Sequence, residues 1–181
     1  FGDDYVYFSS CSSYWLKHAK QYVEDITTRL NLGKSSFVLE IASNDGYLLT
    51  NFVEKNIKCL GVEPTLSTAQ EAIKKDVPTI VDFFNLELAS KLEKEGSQAD
   101  LVIANNVLAH VPDIKNFVAA LKKVLKKEGT ITIEFPHLLS IIEKNEFDTI
   151  YHEHFSYFSV LALVKIFSKY NLSIYDLDEL E

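Results

Sequence analysis

Methionine is absent from the 181 residues, tryptophan occurs once, cysteine twice, proline four times and glycine six times. Two cysteines as far apart as Cys11 and Cys59 make no disulfide framework and have no zinc-finger spacing. They read as reduced thiols of a cytosolic protein. So few glycines leave no GxGxxG fingerprint, which makes a pyrophosphate-bearing dinucleotide a poor ligand. No linker, repeat or low-complexity segment is present. Basic residues are outnumbered, 18 Lys and Arg against 26 Asp and Glu, a formal net charge of −8. That balance argues against nucleic acid or an anionic membrane as the main partner. No apolar run approaches the roughly 18 residues that span a bilayer. The chain opens Phe1-Gly2-Asp3-Asp4 with neither Met nor signal peptide, and is expected to be a piece of a longer protein. What is present is ordinary for one globular domain with a full core: 47% hydrophobic and 24% charged residues.

Periodicity predicts an alternation of helices and strands. After an aromatic and serine-rich opening, a helix runs from an N-cap at Ser12 or Ser13 to about Leu30. Strands are expected at 37–39, 58–62, 79–81, 100–104, 130–135 and 173–177. Helices are expected over 47–53, 66–75, 85–95, 113–127, 138–144 and 159–169, with Gly129 ending the amphipathic helix that begins at Pro112-Asp113. This order implies an α/β fold: a mostly parallel sheet with helices on both faces, and ligands at the C-terminal ends of the strands. Polar residues collect at those ends, at Glu40 to Asp45, Glu63, Asp82, Asn105-Asn106 and Glu134 to His137.

The loop Glu40-Ile41-Ala42-Ser43-Asn44-Asp45-Gly46-Tyr47 is the centre of this pattern. It joins a strand to a helix start, where free N–H groups and the helix dipole face a ligand. Glu40 suits an amino-bearing or cationic ligand, and Glu63, ending the second strand, suits the two hydroxyls of a ribose. A nucleoside without phosphates fits, and S-adenosylmethionine, with a sulfonium and an amino-acid tail, is such a nucleoside. Phe83 or Phe84 is a candidate adenine platform as well as a core residue.

A second constellation is Tyr151-His152-Glu153-His154-Phe155-Ser156-Tyr157. Three readings compete: an aromatic packing segment, a metal site using His152 and His154 with His110 or His137, and a proton-transfer site in which a carboxylate orients a histidine base.

Taken together, these motifs resemble the S-adenosylmethionine-dependent sugar C-methyltransferases that act on nucleotide-linked keto-deoxyhexoses. The resemblance is carried by Tyr5-Val6-Tyr7-Phe8-Ser9-Ser10, Glu40 through Leu48, Gly61-Val62-Glu63-Pro64-Thr65, Asn105 through Val111, Glu134-Phe135-Pro136-His137 and Tyr151 through Ser159. It implies a Rossmann-like methyltransferase fold. Residues 1–32 would be an extended segment and helix covering the site, and 33–181 the cofactor-binding core, truncated before its last strand. The cofactor would be held by Glu40, Ala42, Ser43, Asn44, Asp45, Gly46, Tyr47, Leu48, Glu63, Pro64, Asp82, Phe83, Asn105 and Asn106. By the same resemblance His154 is the base that removes the C3 proton beside the C4 ketone, with Glu153 orienting it. Tyr151, His110 and Tyr5 line the sugar and steady the enolate, whose carbon attacks the methyl group. No metal is implied in this core, and the setting is cytoplasmic. Relatives of this kind also carry a four-cysteine zinc module and a C-terminal α/β domain, neither of which lies within this sequence.

Overall fold

The computed structural model describes residues 8–180, so Tyr5 lies outside the described residues. A 3₁₀ turn at Ser9–Cys11 leads into α1 (Ser13–Arg29). Ser12 caps α1, its hydroxyl accepting from the Trp15 N–H. There follow β1 (Phe37–Ile41), α2 (Leu49–Glu54), β2 (Lys58–Val62), α3 (Leu66–Lys74), β3 (Thr79–Ile80), α4 (Leu86–Lys94), β4 (Ala99–Ile103), α5 (Ile114–Val124), β5 (Leu125–Thr132), α6 (Leu138–Lys144) and α7 (Val160–Ser168). All paired strands are parallel, in the order β3-β2-β1-β4-β5. The order reverses between β1 and β4, the point at which sheets of this kind place their ligand crevice, outside the strands' C-terminal ends.

Side-chain alternation divides the core into two faces. Val38, Leu101 and Ile103 pack with Ala19, Val23 and Ile26 of α1, Leu49 and Phe52 of α2 and Ala72 of α3. Leu39, Ile41 and Val102 pack on the other face with Leu88 and Leu92 of α4, Phe117, Val118 and Leu121 of α5 and Leu163 and Phe167 of α7. Glu40 shares Val38's parity, so its carboxyl is directed to the α1 face.

Six of the seven α-helices among the described residues end in left-handed residues. Asn31, Asn56, Asp76, Asn145 and Asn171 follow α1, α2, α3, α6 and α7 with φ between 50° and 60°, and Gly96 (φ 73°) follows α4. No helix among the described residues is long and apolar enough to cross a membrane.

Two expectations are corrected. The amphipathic helix stops at Val124 rather than 127, and β5 begins at Leu125 rather than 130. Leu125 pairs with Ala99 and Thr130 with Leu101, so residues 126–129 bulge between them. Gly129 is therefore part of the bulged strand and not a helix stop. A Cβ there would lie 2.9 Å from the Ala99 carbonyl oxygen. The expected strand at 173–177 does not form; Tyr175 and Leu177 are both 63% exposed, and the segment is held by side chains. Arg29 bonds Asp176, and Thr130 Oγ1 lies 3.1 Å from the Tyr175 hydroxyl. A period-two pattern without a backbone partner at the β5 edge does not make a strand.

Candidate active site

The loop after β1 is built from alternating backbone. Ala42, Asn44 and Gly46 have φ of 56°, 49° and 74°. At Gly46 a Cβ would meet the Ala72 Cβ at 3.0 Å, so both the dihedral and the space require glycine. Glu63 holds the loop from below: its carboxylate accepts from the Asn44 N–H and the Thr65 N–H, each at 2.9 Å. The acid expected to take a ribose is thus also the loop's anchor, 5% exposed. Asp45 is 1% exposed and accepts from Lys75 Nζ at 3.0 Å, which ties the loop to the end of α3. Asn44 Oδ1 accepts from the Ser9 N–H at 3.0 Å and brings the opening segment to the same loop.

The other expected cofactor residues divide. Ala42 and Tyr47 are partly open, and Pro64 flanks Glu63 at the end of β2. Ser43 is fully buried. Leu48 is a core residue, 1% exposed among Val23 and Phe52. Phe84 packs edge-on against Phe117, with centroids 5.7 Å apart, whereas Phe83 is 56% exposed beyond β3 beside Asp82. The pair therefore separates into a core ring and an open one. Asn105 keeps a buried side-chain oxygen without a partner among the described residues, and Asn106, at φ 53°, donates its N–H to the Glu134 carbonyl.

The histidine stretch folds back on the 3₁₀ turn Leu108–His110 that follows β4, where the Phe155 N–H donates to the Ala109 carbonyl at 2.8 Å. His154 Nδ1 lies 2.8 Å from the Thr149 carbonyl oxygen. A carbonyl only accepts, so Nδ1 carries the hydrogen and Nε2 of the neutral ring accepts from the Tyr151 hydroxyl, 2.9 Å away. The His110 ring stands edge-on to His154 with centroids 4.6 Å apart, and Tyr157 lies 6.0 Å from His154. Burial and the neighbouring His154 hold the His110 imidazolium below its usual range. Burial first, then Glu153 and Tyr157, raise the Tyr151 phenol.

The structure gives His154 a different orienting partner from the one expected. The Glu153 side chain is exposed, and its backbone carbonyl accepts from His110 Nδ1 at 3.1 Å. A backbone carbonyl, Thr149, holds His154 instead. His152 is exposed, and His137 Nε2 accepts from the Val160 N–H at the start of α7. Among the described residues no group of three or more His, Cys, Asp or Glu is placed to hold a metal ion.

Sequence reasoning missed the polar seam beneath α1. His18 Nε2 lies 2.7 Å from Glu134 Oε1, and the Tyr22 hydroxyl 2.6 Å from Thr132 Oγ1. Burial, with Glu40 and Glu134 nearby, raises the Tyr22 phenol far above its ordinary value. The available signal was His18 and Tyr22 on the apolar face of a helix, at the spacing of Trp15, Ala19, Val23 and Ile26. Glu40 lies in this region, 2% exposed, with Oε2 unpartnered. Burial, then Glu63, Asp45 and Glu134, push its carboxyl well above the usual carboxylate range.

An acid-lined crevice at the switch point of a parallel sheet, with an orphaned Glu40 oxygen, suits a small cationic ligand and fits a methyltransferase fold. Comparison with known proteins agrees. Residues 15–177 match the methyltransferase-domain family. The chain is 31% identical to the C-methyltransferase NovU of Streptomyces niveus over 172 residues, covering 95% of this chain and 41% of NovU. It therefore spans about two fifths of that relative's length. Two structural likenesses are of fold. A chain in the complex of the Haloferax volcanii Trm112 methyltransferase activator with a methyltransferase superposes with TM-score 0.65 at 14% identity, over 90% of this chain and 76% of that one. A Thermotoga maritima SAM-dependent methyltransferase gives TM-score 0.61 at 18% identity, over 92% and 77%. This chain belongs to the methyltransferase-domain family, with the SAM-dependent methyltransferase fold and S-adenosyl-L-methionine as methyl donor.

Proposed function

We propose that this chain is the catalytic core of an enzyme that methylates carbon 3 of a nucleotide-linked 4-keto-deoxysugar. The observation that carries the reading is the His110–Tyr151–His154 cluster, in which His154 presents Nε2 as an acceptor. The similarity to NovU, a C-methyltransferase, supports it.

Bound S-adenosylmethionine supplies an electrophilic methyl group on a cationic sulfur. Glu40, the loop 42–46, Glu63 with Pro64, and Asn105 with Asn106 hold it, and Asp82 and Phe83 border it. His154 Nε2 accepts the C3 proton of the sugar, whose acidity comes from the adjacent C4 ketone. The proton ends on an imidazolium whose Nδ1–H remains on the Thr149 carbonyl. As the substrate C3–H takes the Nε2 position, the Tyr151 hydroxyl turns to donate to the C4 oxygen, where negative charge gathers. His110, disfavoured as a cation, stays neutral beside the incoming imidazolium, and Tyr5 joins from the opening segment. Residues 1–32 act as the cover of this site and 33–181 as its core. The substrate is a small molecule and neither nucleic acid nor membrane, and the setting is the reducing cytoplasm, in keeping with free Cys11 and Cys59.

The test is exchange of the C3 proton in deuterated water, followed by NMR with a 4-keto-deoxysugar nucleotide. His154→Ala is expected to lower exchange by roughly 10²- to 10⁴-fold, the usual contribution of a positioned base. Exchange that survives this change removes His154 from the role. Absence of exchange in the unaltered protein favours methyl transfer to oxygen or nitrogen instead.

A further inference from the structure

Three carboxylates, Glu63, Asp45 and Glu134, act electrostatically on Glu40 in the crevice. Their partners are unequal. Asp45 has the Lys75 ammonium at 3.0 Å. Glu134 has His18 at 2.7 Å. Glu63 has two backbone N–H groups, which carry no net charge. Among the described residues no cation pairs with Glu40, and its Oε2 has no hydrogen-bond partner although the residue is 2% exposed. Among the described residues, two other titratable groups face this region and do not change the balance. From α1, the Tyr22 phenol is held neutral, and from β2 the Cys59 thiol, pushed up to about 11 by burial and then by Glu40, is neutral as well. An isolated buried carboxylate is costly, so a proton or a cation must complete the site.

The donor brings one positive charge that its demethylated product lacks: the sulfonium becomes a thioether, while the amino-acid tail is the same in both. We propose that Glu40 makes the crevice select its ligand by charge, holding a proton in the free protein, releasing it to solvent when the cationic donor enters, and keeping it when the neutral product occupies the same crevice. Charge balances in each case: one positive charge enters and one proton leaves, or neither moves. Methyl transfer then leaves an ionised Glu40 beside a neutral ligand, a poorer match that draws a proton back and favours product departure. Donor binding strengthens with pH by up to about tenfold per unit while Glu40 is protonated in the free protein, and product binding does not.

The proposal rests on the donor being S-adenosylmethionine and not on the sugar acceptor, so loss of C3 exchange would refute the sugar assignment and leave the proton count intact. The experiment is calorimetric titration of the protein with donor and with S-adenosylhomocysteine, near neutral pH, in buffers of differing ionisation enthalpy. About one proton is expected to leave per donor bound and almost none per product. Glu40→Gln is expected to abolish the release and make the donor-to-product affinity ratio independent of pH. Infrared spectroscopy of the unaltered protein supplies a second readout that needs no variant. The carbonyl band of a protonated carboxyl should vanish on donor addition and survive product addition. Equal proton counts for the two ligands, a release that persists in Glu40→Gln, or a band indifferent to donor would each overturn the proposal.

Discussion

Gly61→Ala is a local test of how tightly the sheet carries the loop 42–46. Gly61 lies in β2, opposite Glu40 in register, and donates its N–H to the Pro78 carbonyl at 2.8 Å. A Cβ added there would stand 2.4 Å from Ser43 Oγ, 3.0 Å from Ser43 Cβ and 3.2 Å from Thr79 Oγ1. Ser43 is fully buried, with its own N–H on the Val62 carbonyl, so it yields only by moving the loop. Overpacking of this kind costs about 1–3 kcal/mol. For a domain of this size that is a fall in Tm of roughly 2–12 °C. The same shift strains the Asn44 N–H to Glu63 bond, so affinity for S-adenosylhomocysteine should drop along with stability. Ser43→Ala supplies the control, because its hydroxyl has no partner among the described residues and its loss alone should cost less than about 0.5 kcal/mol. Combined with Gly61→Ala it removes the 2.4 Å contact and should restore part of both losses. Denaturant midpoints and calorimetry read the four corners of this cycle. An alanine at 61 that leaves stability and affinity unchanged, or a strictly additive double variant, would refute the packing argument.

Other outcomes follow from the same geometry. The Glu40 carboxyl is raised in the fold, so its contribution to stability is fully present below the ordinary carboxylate range and is lost as pH climbs toward the folded value. Glu40→Gln should therefore stabilise the ligand-free protein increasingly as pH rises, and a Tm difference that stays flat with pH would contradict this. Lys75→Met leaves Asp45, 1% exposed, without its cation, and should cost about 1.5–3 kcal/mol by urea unfolding. Exposed Cys11 should react with iodoacetamide at pH 8, whereas the Cys59 thiol, pushed up to about 11, should be labelled only after unfolding, as mass spectrometry would show. Tyr151→Phe removes the hydroxyl on His154 Nε2 and should lower the rate of methyl transfer by roughly 10- to 1000-fold with little change in donor affinity.

The fold was legible because β1, β2 and β4 are short apolar runs that stop at polar residues, and each is followed by a helix with its own cap or apolar face. β5 was misjudged at its start because Lys126, Lys127 and Glu128 continue the helical pattern of α5, while the bulge that admits them depends on Ala99 and Leu101 of another strand. The segment 173–177 has the alternation of a strand, but pairing is a property of two segments. The loop 42–46 and the histidine stretch stood out as unusual side-chain clusters. The orienting group of His154 did not, because it is a backbone carbonyl, and every residue has one. His18 and Glu134 lie 116 positions apart, and only the packing of α1 over the sheet joins them.

The left-handed helix stops bear on the unfolded chain as well as the folded one. Five of the six such stops noted above are Asn or Asp, and one is Gly96. An asparagine crowds its own Cβ in this conformation, which works against the folded state. It also samples far less backbone space than glycine when the chain is unfolded, so folding gives up less entropy, by up to about 1 kcal/mol at each position. A sequence with six glycines thus makes its sharp reversals mostly with residues that limit disorder before folding begins. Replacing those five residues with glycine would leave every core contact in place while broadening the ensemble from which the sheet must assemble.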